Sequence, residues 1–231
     1  MVPLFPASDT VESREALFSE RQEERNNLVQ KIKKQGIDSQ RVLDAMREVP
    51  RHHFIPKNYR GQAYANSPQP IGFSQTISQP FIVAYMTQLL NVAPGDKILE
   101  VGTGSGYQAA VLAELTEEVY TIEIIEELGK RAQEIFDKLG YSSIHTQIGD
   151  GYKGWPTYAP FDGIIITAAA DEIPDPLLNQ LKTGGVLIMP YSVTSNLQSL
   201  IRVTKTADGE ITKEEILPVR FVPMTGEVQQ N

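Results

Sequence analysis

The 231-residue chain contains no cysteine. That absence removes disulfides, thiolate-bound metals and cysteine nucleophiles together, so any chemistry must run on oxygen, nitrogen or a bound cofactor. It also fits a reducing compartment. Positive charge is in short supply: 21 Lys and Arg stand against 29 Asp and Glu, for a net charge of −8. A chain of that sign does not gain affinity by neutralising phosphates, which argues against a nucleic-acid partner. No apolar run approaches the roughly 20 residues that a bilayer span needs. The opening MVPLFPASDT lacks the basic stretch followed by an apolar one that marks a secretory signal. The expectation is a cytoplasmic, monomeric protein with no membrane or nucleic-acid partner.

What is present points to one α/β domain, residues 25–231, preceded by an arm or extra helix over 1–24. Val11 to Gln35 is charged with apolar punctuation at Leu17, Leu28, Val29 and Ile32, which predicts a solvated surface helix stopped by Gly36. DSQRVLDAMREVP predicts a second helix, with Asp38 as its N-cap and Pro50 beyond its end. The stretch from Arg51 to Pro80 is too rich in Pro, Gly and Asn for regular structure, and long loops of this kind are often functional.

From Lys97 onward strand and helix signals alternate: KILEV, a glycine turn, a helix from Tyr107, EVYTIEI, a helix ended by Gly140, IHTQIGD, FDGIIITAAA, PDPLLNQLK and GGVLIMP. This is the pattern of a doubly wound, mainly parallel sheet. The tail reads as a hairpin turning near Asp208 and Gly209 and completing a sheet edge.

The glycine turn carries the first chemical signal. LEVGTGSGY sets Gly102, Gly104 and Gly106 between a strand and a helix, where backbone N–H groups are free for a ligand. A dinucleotide fingerprint needs its third glycine at the position of Tyr107, so the spacing misses by one. Glu100, two residues before the first glycine, would repel a pyrophosphate and favour a ligand with an ammonium group. Glu123 ends the next strand, where a carboxylate can accept from ribose hydroxyls, and Asp150 stands at the end of the third. Three acids at three consecutive strand ends form one constellation. Taken singly, Glu123 and Asp150 also read as loop or helix caps, and the glycines as turn formers.

These residues resemble a family. ILEVGTGSGY, VYTIE, GDG, PFDGIIIT and LKTGGVLIMP are similar to the successive motifs of class I S-adenosylmethionine-dependent methyltransferases. PIGFSQTISQP, ITAAADEIP and VRFVPMTG more specifically resemble the protein-L-isoaspartate O-methyltransferase family, over about Asn27 to Gly226. The resemblance implies a Rossmann-like methyltransferase fold with helical N-terminal additions. It implies S-adenosylmethionine as methyl donor, S-adenosylhomocysteine as product, no metal, and isoaspartyl-containing proteins and peptides as partners. By the same resemblance Ser78 is the catalytic residue. Gln75, Thr76, Ile77, Glu100, Gly102, Thr103, Gly104, Ser105, Gly106, Glu123, Asp150, Gly151 and Thr225 are the cofactor-binding residues. Ser78 alternatively reads as the N-cap of the helix that follows it.

Other residues invite weaker readings. Arg220 either pairs with the acceptor carboxylate or forms an ion pair inside the domain. His52 and His53 are adjacent and so cannot both face one metal from a helix or strand, and His145 is far away. Phe81, Tyr85 and Met86 read as packing, and Trp155 as a cover for a sheet edge. The rival functions are a methyltransferase with another acceptor, a nicotinamide-dependent dehydrogenase, which Glu100 and Tyr107 disfavour, and a binding module without turnover.

Overall fold

The alternating segments assemble into a seven-stranded sheet in the computed structural model, which describes residues 13–194 and 197–226. The chain begins with α1 (Arg14–Ser19), α2 (Gln22–Lys34) and α3 (Gln40–Glu48), followed by a 3-10 turn over Arg51–Phe54. A two-stranded hairpin, β1 (Gln69–Gly72) and β2 (Gln75–Ile77), leads into α4 (Pro80–Leu90). The main body then runs β3 (Lys97–Val101), α5 (Tyr107–Ala113), β4 (Glu118–Glu123), α6 (Glu126–Leu139) and β5 (Ile144–Ile148). It closes with β6 (Phe161–Ile166), α7 (Asp175–Gln180), β7 (Leu181–Thr194), β8 (Leu197–Lys205) and β9 (Ile211–Val219).

The sheet order is β5-β4-β3-β6-β7-β8-β9. The first five strands in that order are parallel, and β8 and β9 add antiparallel at one edge. The doubly wound reading and the terminal hairpin are therefore both found. The chain steps outward from β3 through β4 to β5, then returns to the other side of β3 with β6. That reversal opens a crevice at the carboxyl ends of the strands. Alternation along β3 and β4 divides the core: Ile98 and Val119 pack under the N-terminal helices, α4, α5 and α6, whereas Leu99, Val101, Tyr120 and Ile122 pack toward α7 and Trp155. Glu100 and Thr121 share the first of these faces and stand side by side in the β3–β4 register. Among the described residues no helix is long and apolar enough to cross a membrane.

Four local expectations differ from the structure. The helix foreseen over Val11 to Gln35 is broken at Glu20 and Arg21, with Arg21 in the left-handed region at φ 50°. Its positions 11 and 12 lie outside the described residues. The break has a donor behind it: buried Arg25 gives its guanidinium hydrogens to the carbonyls of Phe18, Glu20 and Arg47. This segment is also less solvated than its charge implied, because Leu17, Phe18, Leu28, Val29 and Ile32 are all core residues. The cap of α3 is Ser39, whose hydroxyl accepts from Val42 N, and Gln88 Oε1 accepts from the backbone N–H groups of both Asp38 and Ser39. Residues 51–80 are not irregular throughout, because buried Ile71 and Ile77 anchor a β-hairpin that turns at Gly72, Phe73 and Ser74, all at positive φ.

Candidate functional site

A cleft opens where the carboxyl ends of β3 and β4 meet the β1–β2 hairpin, α4 and the segment after β9. Gly106 shows why its base must be glycine. Its φ is +87°, and a Cβ there would sit 2.7 Å from Phe136 Cζ, so a side chain would be strained and would also collide. The tight turn brings the backbone of residues 102–105 to the cleft wall. Thr167, following β6, donates to the Gly102 carbonyl at 2.6 Å and fixes the turn from the other side.

The cleft gathers most of the sequence-predicted site. Gln75, Thr76, Ile77 and Ser78 line one side, and Glu100, Gly102, Thr103, Gly104 and Ser105 the base. Glu123, Gly151 and Thr225 complete it. Two residues stand outside this lining. Gly106 acts from behind as the turn former, and Asp150 uses its carboxylate to accept from Tyr152 N at 3.0 Å, capping the 3-10 turn Gly151–Lys153.

Glu100 is fully buried at the base. Thr121 donates to its Oε2 at 2.5 Å and Thr103 joins the chain at 2.6 Å from Thr121, while Oε1 has no partner. Burial pushes the carboxyl up to about 8, with the Thr121 hydrogen bond opposing and the Glu123 charge adding to the rise. The group is therefore neutral at pH 7 until a cation arrives to ionise it. One consequence concerns the protein alone. Between about pH 4.5 and 8 the native state holds a proton that the unfolded chain has released, so this carboxyl makes stability fall as pH rises through that window. Above it the effect is flat. Urea unfolding of the native chain and of Glu100→Gln, at pH 5, 6.5 and 8, should show the native chain losing up to about 1.4 kcal/mol per pH unit relative to the variant. Parallel pH profiles would refute a neutral Glu100.

Glu123 is also buried, and its two oxygens accept from Gly104 N at 2.7 Å and Ile125 N at 2.9 Å. The loop-capping role is thus present, yet each carboxylate oxygen retains acceptor capacity toward the cleft. Ile124 beside it is 41% exposed, an apolar surface next to a hydrogen-bonding carboxylate. Sequence reasoning missed Ile124, Gln108 and Thr167 as cleft residues. An exposed isoleucine directly after an acidic strand end was the available signal for the first. Met86 is core, as expected, and forms part of the cleft wall, while Phe81 and Tyr85 stack on each other at 5.5 Å.

Ser78 is not a helix cap: Gln79 occupies that position, without a side-chain cap bond. Ser78 instead lies at the junction of two clefts, the one described and a neighbour lined by Pro68, Ile82, Arg220 and Phe221. Its carbonyl accepts from Arg51 Nη2 at 2.8 Å. Arg220 is exposed and has no ion pair among the described residues, which leaves it available at the rim of the second cleft.

The comparisons agree with this geometry. The family model for protein-L-isoaspartate(D-aspartate) O-methyltransferase matches residues 23–229. The protein-L-isoaspartate O-methyltransferase of Gloeobacter violaceus is 52% identical over 201 residues, covering 87% of this chain and 98% of the relative. A Syntrophobacter fumaroxidans protein-L-isoaspartate O-methyltransferase 2 is 50% identical over 214 residues, covering 93% and 86%. A solved protein-L-isoaspartate O-methyltransferase superposes with a TM-score of 0.81 at 29% identity, over 88% of this chain and 67% of that one. A Plasmodium falciparum chain assigned to the same activity, solved with S-adenosyl-L-homocysteine, gives 0.77 at 26% identity, over 87% and 98%. On sequence and fold alike, this chain belongs to the protein-L-isoaspartate(D-aspartate) O-methyltransferase family.

Proposed function

We infer that this chain uses S-adenosylmethionine to methylate the free α-carboxylate of L-isoaspartyl residues in damaged proteins and peptides, initiating repair through a succinimide. The observation that carries the reading is the position of Ser78, between a cleft built for a nucleoside with an ammonium group and a second cleft open to solvent. The residues fit the cofactor. Glu100 offers an unpaired buried oxygen, Glu123 a carboxylate with spare acceptor capacity, and Ile124 an apolar face. Among the described residues no phosphate-compensating cation lines the cleft, in keeping with a ligand that carries no phosphate. When bound, S-adenosylmethionine supplies a methyl group on a sulfonium centre.

The chain's own task is alignment. The acceptor carboxylate has an ordinary pKa near 4 and is ionised at neutral pH, so a strong general base is unnecessary. Holding the reacting oxygen in line with the methyl carbon is worth several kcal/mol as effective molarity. Ser78 Oγ–H orients that oxygen, with Gln75 and Thr76 in the same hairpin as further uncharged donors. A cation in direct contact would hold the carboxylate too well as a poor nucleophile, and Arg220 stands at the outer rim instead. Succinimide closure, with loss of methanol, then needs no enzyme.

Glu123→Ala should weaken S-adenosylmethionine binding by about 1–3 kcal/mol, through lost ribose acceptance and the release of Gly104 N. Calorimetry giving unchanged affinity would remove Glu123 from the site. The activity itself is tested with methyl-labelled S-adenosylmethionine and two peptides differing only in an L-isoaspartyl or L-aspartyl linkage, scored as base-labile methanol. Labelling of the isoaspartyl peptide alone supports the reading. Labelling of neither, with the cofactor still bound, overturns the acceptor and leaves the donor.

A further inference from the structure

A second polar cluster lies away from the cleft, where the corner between α1 and α2 meets the 3-10 turn Arg51–Phe54. Adjacent residues diverge on a strand or an α-helix, and on that ground the sequence excluded a shared ion for His52 and His53. The tight turn reverses this conclusion. The two imidazole centroids are 4.3 Å apart, and both Nε2 atoms converge on one oxygen of Glu20, at 2.7 Å from His52 and 3.3 Å from His53. One ligand atom from each of the three residues lies within 4.8 Å of the others.

The cluster is incompletely satisfied. His52 is well engaged, with Nδ1 at 2.7 Å from the Tyr64 hydroxyl and Nε2 at 2.7 Å from Glu20 Oε2. His53 is 7% exposed, yet its Nε2 has no hydrogen-bond partner, because the Glu20 oxygen is outside hydrogen-bonding geometry. A buried ring nitrogen aimed at a carboxylate, beside a second imidazole, is a donor set waiting for a shared cation. We propose that Glu20, His52 and His53 form a binding site for a divalent transition-metal ion of the zinc type, which clamps the α1–α2 corner to the 51–54 turn.

Three observations support the assignment. A tetrahedral ion with bonds of about 2.0–2.1 Å sets its ligand atoms about 3.3 Å apart, so the observed spacing needs only small side-chain adjustments. Two imidazoles with one carboxylate suit zinc and its neighbours rather than calcium or magnesium, which take oxygen ligands. The Glu20 side chain is 37% exposed, which leaves an entry path and a fourth position for water. With an ion on Nε2, His52 would carry its proton on Nδ1 and donate it to the Tyr64 oxygen 2.7 Å away, fixing the tautomer from behind.

The chain carries only three histidines, and His145 lies on β5, so the test is clean. Zinc chloride is titrated calorimetrically into the untagged full-length chain in a non-chelating buffer, with thermal unfolding followed in parallel. One equivalent should bind and raise Tm. Tyr64→Phe should weaken zinc by about 10- to 100-fold, as expected for loss of an outer partner. His53→Ala and Glu20→Gln should each lose more than that, while His145→Ala should bind as the native chain does. Circular dichroism and S-adenosylmethionine affinity verify that each variant is folded. No stoichiometric binding by the native chain, or binding that survives both His53→Ala and Glu20→Gln, would overturn the site. The methyl transfer inferred above makes no use of this ion, so the two readings fail separately.

Discussion

Ser78→Ala should lower kcat about 10- to 100-fold while leaving S-adenosylmethionine affinity within a few fold. The magnitude follows from what the hydroxyl does. A hydrogen bond to a charged group is worth about 1.5–3 kcal/mol, and if it is made chiefly to the aligned carboxylate its loss appears in turnover. The structure makes the substitution unusually interpretable. Ser78 does not cap α4, so alanine removes no helix-terminal bond. Its backbone course is held independently by Arg51, which donates to the Ser78 carbonyl. Turnover is read from base-labile methyl release on an isoaspartyl peptide, and affinity from calorimetry. Equal loss of both quantities would mean that Ser78 organises the cofactor side of the junction and does not act on the acceptor.

Much of this site was readable because its parts are tied to local sequence. The glycine turn requires positive φ at Gly102, Gly104 and Gly106, and that requirement is visible in the residue type itself. Acids at strand ends are equally local, since Glu100 and Glu123 follow apolar runs whose period fixes the strands. What escaped was set by distant contacts. The hairpin at 69–77 depends on Ile71 and Ile77 reaching a core formed elsewhere, and on Arg131 donating to the Ile71 carbonyl from α6. The break between α1 and α2 depends on Arg25 satisfying carbonyls that a continuous helix would have satisfied internally. Asp150 carried two readings in the sequence, cofactor residue and loop cap, and its Oδ1 accepts from Tyr152 N while Gly151 meets the cleft. The convergence of His52 and His53 could not be read at all, because a 3-10 turn and an α-helix look alike over four residues.

Arg51 is the largest consequence of such distant contacts, and replacing it should damage both turnover and stability. The side chain is fully buried; Nε donates to the Ala63 carbonyl at 3.0 Å, Nη2 to the Ser78 carbonyl at 2.8 Å, and the guanidinium lies 4.6 Å from the Tyr107 ring centroid. Burial brings its pKa down to about 10, so it remains charged at neutral pH, at a cost of about 3 kcal/mol. Arg51→Leu would relieve that cost but strand the buried Ala63 carbonyl and the partly buried Ser78 carbonyl, at about 1–3 kcal/mol each, and lose the contact over Tyr107, at about 2. The opposing terms leave a net destabilisation of about 1–5 kcal/mol. The effect on Ser78 has no such offset. Without Nη2 the Ser78 carbonyl is free to seek another donor, and if Ser78 aligns the acceptor as proposed, a shift of about 1 Å there costs about 100-fold. Arg51→Lys sharpens the test, because an ammonium keeps the charge but cannot span both carbonyls as the planar fork does. Both variants should therefore show kcat reduced about 100-fold in the folded protein, with KM for the peptide changed far less, and urea unfolding shifted to lower concentration. Near-native kcat in Arg51→Lys would show that one carbonyl contact, or none, is enough to hold Ser78 in place.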